Sequence, residues 1–147
     1  MNVINHMKLS FLSKSVNEAF ARAAVASFLL PLDPTVSELS DVRTAVSEAV
    51  TNCIVHAYPD TLGVVYLDMK ITDTGKVIIR VRDTGVGIED VKKAMEPLFT
   101  TSSDERAGLG FAVMESFSDR IRVRSVKDKG TVVTLEKYID TVSDDQR

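Results

Sequence analysis

The chain has 147 residues, a net charge of −3, 44% hydrophobic and 27% charged residues, proportions that suit a single globular domain. No stretch approaches ~18 unbroken apolar residues, and no charged-then-apolar leader opens the chain, so a cytoplasmic protein without a membrane span is expected. There is no dense basic run, so direct binding to nucleic acid is not expected. Two histidines and one cysteine are too few to suggest a zinc site, and Cys53 has no partner for an internal disulfide.

Residues 8–12 (KLSFL) alternate weakly and read as an edge strand. Ser15 and Glu18 have the S-x-x-E spacing of a capping box, which predicts a helix starting there. Val16, Phe20, Ala23, Ala24 and Phe28 recur at helical spacing along it, and Pro31 and Pro34 end it. Thr35 and Glu38 form a second capping box, opening a long helix to about Ala57. Its apolar face is Leu39, Val42, Val46, Ala49, Val50 and Cys53, and Cys53 reads as packing. Residues 64–71 and 76–82 alternate like strands, with Gly75 in the turn between them. DTGVG at 83–87 breaks the second strand. A short helix follows from Ile88 to about Met95, then a polar loop at 100–107. Gly108-Leu-Gly110 is read as opening another helix to about Phe117. A second hairpin, 121–126 and 131–136, closes the domain. One domain over residues 1–147 is expected, with a core at about 8–137 and a flexible tail at 138–147. Hairpins mixed with helices imply an α+β two-layer sandwich, with a mixed, mostly antiparallel sheet and helices on one face.

Three motifs carry possible chemistry. Glu48 and Asn52 lie one turn apart, away from the apolar face of their helix. Glu48 can take a proton from an attacking hydroxyl, and Asn52 offers a neutral oxygen to a hard cation such as Mg²⁺. An ordinary solvated helix flank would look the same. Asp83, at a strand end and followed by Gly85 and Gly87, can accept a hydrogen bond from an exocyclic amine while the glycines let backbone approach a flat ring; a plain turn is the alternative. Gly108 and Gly110 at a helix start would present backbone N–H groups to phosphates; a loop-to-helix junction also uses glycine. The loop with Thr100, Thr101 and Arg106 has the composition of a lid over phosphates, Arg106 supplying positive charge, or of any solvated loop. Neither a Walker-type P-loop nor a Rossmann glycine pattern is present.

The order of these motifs resembles the ATPase superfamily of gyrase, the MutL repair proteins and sensor histidine kinases. EAVTN at 48–52 resembles its N box, DTGVG its first glycine box and GLG its second. Within it, SVNEAFAR at 15–22, LDPTVSEL running into VSEAVTNCIVHAY, and PLFTT followed by Arg106 and GLGFAVMESF most closely resemble the sporulation anti-sigma factor kinases. Ala57 departs from that pattern, which has glycine there, and the lid is one residue shorter. The resemblance implies a homodimeric protein serine kinase that binds ATP or ADP with Mg²⁺. It implies that such a protein holds a sporulation sigma factor inactive and phosphorylates an anti-anti-sigma protein. It assigns Glu48 as base, Asn52 as Mg²⁺ ligand, and Asp83, with Thr131 beside it, as reader of the adenine amine. Gly108, Gly110, Thr100, Thr101 and Arg106 would surround the phosphates, and Glu18 and Arg22 would face the protein partners. A general-stress anti-sigma kinase, a histidine kinase lacking its acceptor domain, and a sigma-binding module with no transfer activity remain as alternatives.

Overall fold

The computed structural model describes residues 2–95 and 105–139, with side chains left undescribed at 105–109. Five strands, β1 (Val3–Leu12), β2 (Val64–Thr72), β3 (Lys76–Asp83), β4 (Arg120–Val126) and β5 (Gly130–Tyr138), form one sheet in the order β1-β2-β3-β5-β4. Each of the four neighbouring pairs is antiparallel. The helices α1 (Val16–Leu29), α2 (Val36–Asn52), α3 (Val91–Ala94) and α4 (Glu105–Ser116) complete the domain. This is the α+β architecture expected from the sequence.

Strand alternation determines which sheet face carries the core. Val65, Leu67, Met69 and Ile71 of β2 are buried, as are Val77, Ile79 and Val81 of β3 and Val133 and Leu135 of β5. They pack against Ala21, Val25 and Leu29 of α1 and Val42, Val46 and Val50 of α2, forming one continuous core. The intervening positions, among them Arg80, Arg82, Arg122 and Arg124, form the opposite face.

Several boundaries differ from those read in the sequence. The first strand begins at Val3, because its early residues pair with the far end of β2, Val3 opposite Thr72. At the other end Tyr138 closes β5, and Ile139 is buried and donates its N–H to Gly75 O at 2.9 Å. The ordered core therefore extends past residue 137. The face expected for α1 is also wrong: Val16 and Phe20 are 72% and 60% exposed. Of the expected residues Phe28 is buried, but Ala21, Val25 and Leu29 bury in place of Val16 and Phe20, because both helical stripes are apolar and only packing on α2 selects between them.

The two capping boxes fare differently. At Thr35 the box is complete, its hydroxyl accepting from Glu38 N–H and Glu38 accepting from Thr35 N–H. Ser15 makes no side-chain cap, since its φ of −58° and ψ of −30° are already helical, whereas a capping residue needs extended backbone to reach back over the first turn. Glu18 turns instead toward α2, accepting a hydrogen bond from the Ser47 hydroxyl and pairing with Arg22 Nε at 3.1 Å.

Candidate nucleotide site

The last turn of α2 does not continue as an α-helix. Residues Cys53–Ala57 widen into a π turn, a deformation that recurs at functional sites. It brings Ala57 O to Val86 N–H at 3.0 Å, joining the helix end to the DTGVG loop. Gly85 is required by this contact, since a Cβ there would lie 2.2 Å from Ala57 O. Gly87 has φ +73°, and a Cβ would lie 2.3 Å from Val126 O in the β4–β5 turn. Tyr58 secures the same loop from below: its hydroxyl donates to Val64 O at 2.8 Å and accepts from Thr84 N–H at 2.7 Å.

Between these parts lies a cavity of about 590 Å³ whose walls include Asn52, Cys53, His56, Asp83, Gly87, Lys93, Phe111 and Thr131. Asp83 is 6% exposed at its edge. Its Oδ1 accepts backbone N–H groups from Gly85 at 3.0 Å and Thr131 at 3.2 Å. That leaves Oδ2, touched by the Cys53 thiol at 3.4 Å, with lone-pair capacity for a ligand donor. The Cys53 thiol is held well above its ordinary value, mainly by burial and further by the Asp83 charge and this hydrogen bond, so it stays a neutral donor. Thr131 and Ser125 hydroxyls lie 2.7 Å apart; Ser125 accepts Ile88 N–H at 2.7 Å and reaches Gly130 O at 3.1 Å.

Glu48 and Asn52 come together against Gly110 of α4, with Asn52 on the cavity wall. A Cβ on Gly110 would lie 3.3 Å from both Glu48 Oε2 and Asn52 Oδ1, so three of the motif residues converge there. Asn52 Nδ2 is buried and has no hydrogen-bond partner among the described residues, a cost that a bound polar ligand removes. The orphan amide, the adjacent carboxylate and the bare Gly110 backbone together suit a cation and phosphate group.

Not every expected residue stands where the sequence put it. Gly108 and Gly110 do not open α4, which already runs from Glu105. An N–H in the interior of a helix is used by the helix itself, so Gly110 contributes space over Glu48 and Asn52 and not a helix-end anion site. Gly85 is a packing residue, absent from the cavity wall. Glu18 and Arg22 lie apart from the cavity, in the α1–α2 groove. Thr100 and Thr101 lie outside the described residues, as does the side chain of Arg106, whose backbone belongs to α4. Sequence reasoning missed Cys53, Tyr58 and Lys93. Cys53 sits one residue after Asn52, and that adjacency was the available signal; Tyr58 and Lys93 had none.

A buried strand-end carboxylate whose Oδ2 keeps capacity beside the Cys53 thiol, on a cavity that Asn52 also lines, with Glu48 one turn before Asn52 on the same helix, fits a nucleotide-binding domain of ATPase type. Comparison with known proteins agrees. Residues 12–137 match the family model described as the histidine kinase-like ATPase domain. The chain is 55% identical over 140 residues to an anti-sigma F factor of Caldanaerobacter subterraneus subsp. tengcongensis, covering 95% of this chain and 97% of that protein. It is 54% identical over 141 residues to an anti-sigma F factor of Clostridium botulinum, covering 95% and 98%. Among solved structures, the RsbU and RsbW domains of Rv1364c from Mycobacterium tuberculosis superpose with a TM-score of 0.68 at 19% identity, over 92% of this chain and 32% of that one. The histidine kinase domain of the Erythrobacter litoralis blue-light activated kinase gives 0.58 at 20%, over 83% and 60%; these two support the fold. The chain belongs to the histidine kinase-like ATPase family and, within it, to the anti-sigma F factors.

Proposed function

We propose that this protein is an ATP-dependent protein serine kinase of the cytoplasm that holds a sporulation sigma factor inactive and phosphorylates its anti-anti-sigma antagonist. The observation that carries the reading is the convergence of Glu48 Oε2 and Asn52 Oδ1 within 3.3 Å of a Cβ on Gly110, with Asn52 on the wall of the cavity that Asp83 also lines. Asp83 Oδ2 accepts the adenine amino group, and Thr131 lies beside it. Asn52 would hold Mg²⁺, which when bound would neutralise phosphate charge. Glu48 takes the proton from the incoming serine hydroxyl as that oxygen bonds to the γ-phosphorus and the bridging oxygen leaves with ADP. Thr100, Thr101, Arg106 and Gly108 belong to the segment that closes over the phosphates.

The partner surfaces follow from exposure. Val16 and Phe20 are solvent-facing on α1, and the Glu18–Arg22 ion pair stands on the other side of the same helix, toward α2; exposed apolar residues with charge at the rim suit a protein partner. The β1 edge exposes Val3, Ile4, Met7 and Leu12, and an apolar edge strand favours covering by a second copy of the chain.

The test is transfer from γ-labelled ATP with Mg²⁺ to the anti-anti-sigma protein of the same organism. Acid-stable label on a serine of that protein is expected, and Glu48→Gln should bind nucleotide but transfer about 10²–10⁴-fold more slowly, the scale of a lost general base. Bound ATP with no label on the partner would reduce the protein to a sigma-binding module.

A further inference from the structure

The sheet face turned away from the helices carries a concentration of positive charge that the nucleotide site does not use. The strand register places Arg80 beside Thr134 and Thr134 beside Arg122; one rung along, Arg82, Val132 and Arg124 stand in line. Thr134 and Val132 are short, so β5 forms the floor of a trough walled by two arginines on each side. Neighbouring strands lie ~4.8 Å apart and alternate residues ~7 Å apart, so the two walls are about 10 Å apart and the arginines within a wall about 7 Å apart. The chain as a whole has a net charge of −3, so this charge is segregated and not a reflection of composition.

The fold neutralises part of it: Asp68 of β2 stands opposite Arg80 in the register and pairs with His6 and Lys8. Arg122 pairs with Glu136 at 3.2 Å, and Arg82 stacks over Tyr66 at 4.0 Å from the ring centre. Among the described residues Arg80 and Arg124 take part in no ion pair. Like charges on neighbouring positions of one sheet face destabilise it. Charges on an edge strand have a separate use, discouraging aggregation, and that accounts for the arginines of β4. It does not account for Arg80 and Arg82, which lie on the interior strand β3.

We infer that this trough is a docking site for an acidic segment of a protein partner, bound in extended form along β5. In an extended chain, side chains on one face recur every ~7 Å, the spacing of the arginines along each wall, and arginine holds carboxylates in two-pronged hydrogen bonds. A polypeptide fits better than a nucleic acid. The trough floor includes Val132, an apolar contact that a peptide side chain can use and a phosphate backbone cannot. A patch of roughly 10 by 7 Å also covers too little of a duplex to hold it at physiological salt, where each phosphate contact is weakened by counterions. The docking site lies on the far side of the sheet from the nucleotide cavity, so both can be occupied together.

The test uses the full chain and a fluorescein-labelled decapeptide of alternating glutamate and serine, followed by anisotropy at low and physiological salt. The expected result is saturable binding that weakens with salt and drops at least tenfold in the double variant Arg80→Gln/Arg124→Gln, with ATP affinity and circular dichroism unchanged. Lys92→Gln, on α3 at the helix side, should bind the peptide as the parent does. Three outcomes would overturn the inference: no binding to the parent chain, equal binding to the double variant, or a 20-base-pair DNA duplex that binds more tightly than the peptide and loses its affinity in the double variant.

Discussion

Replacing Gly110 with alanine should separate stability from activity in a single substitution. The residue lies inside α4, where alanine is favoured over glycine by about 1 kcal/mol. The new methyl would stand 3.3 Å from Glu48 Oε2 and Asn52 Oδ1 and 3.5 Å from Asn52 Nδ2. These are the free ends of half-buried side chains, which can yield a few tenths of an ångström, so we expect part of the helix gain to survive. A net gain of about 0.5 kcal/mol corresponds to roughly 1–2 °C in melting temperature for a chain of this size. The same methyl occupies the space against Glu48 and Asn52, the proposed base and the proposed metal ligand. A phosphate group proposed to share that space would be pushed aside by about 1 Å, a displacement that costs on the order of 10²-fold in rate, so transfer to the anti-anti-sigma protein should fall by about that factor. Differential scanning fluorimetry and single-turnover transfer from labelled ATP measure both quantities on one preparation. A Gly110→Ala protein that transfers at the parental rate would refute the placement of phosphate and cation between Glu48, Asn52 and α4. One that melts several degrees lower would refute the packing described for that turn.

Three further outcomes are expected. Asp83→Asn presents an amide where Oδ1 now accepts two backbone N–H groups, so calorimetry should show ATP affinity at least tenfold weaker; unchanged affinity would remove Asp83 from adenine recognition. The buried Cys53 thiol, its pKa raised by burial and by Asp83, should resist iodoacetamide at pH 8 in the folded protein and react on unfolding, and rapid alkylation of the native chain would contradict its burial. Glu136 is held below the ordinary carboxylate range, first by its hydrogen bond from Lys76 and then by the Lys76 charge and Arg122. A carboxylate depressed in this way stabilises the fold above its unfolded pKa, and that stability is lost as pH falls through the folded value. Lys76→Met should therefore cost roughly 2 kcal/mol at neutral pH, less than a fully buried pair because Arg122 remains, and should flatten the acid limb of the melting-temperature profile; an unchanged limb would show that the Lys76–Glu136 contact at 2.5 Å contributes nothing.

Much of the domain was legible in the residues alone, and for local reasons. Period-two alternation in 64–71 and 76–82 marks β2 and β3 because one face of each must be buried. Gly75, with φ +82°, marks the turn because few other residues tolerate that backbone. The spacing of Glu48 and Asn52 put both on one side of a helix before any packing was considered. The side of α1 that faces the core was not legible, because Val16-Phe20-Ala23 and Ala21-Val25-Phe28 are both apolar stripes at helical spacing. Nor was the failure of Ser15 as a cap, since an S-x-x-E pattern does not reveal that the chain enters its helix a residue early.

What the sequence by itself determined is the set of elements and the chemistry on offer: a helix with a carboxylate and an amide one turn apart, a strand-end carboxylate, and glycines where backbone must come close. These depend on interactions between residues a few positions apart. What only the tertiary structure decided is which of them meet. The convergence of Gly110 on Glu48 and Asn52, the fastening of Asp83 by Thr131, the thiol of Cys53 against that carboxylate, and the alignment of Arg80 and Arg82 with Arg122 and Arg124 across β5 all join residues distant in the chain. Such contacts arise from strand order and helix packing, which depend on the burial of the whole core and leave no periodic trace in the segments they bring together.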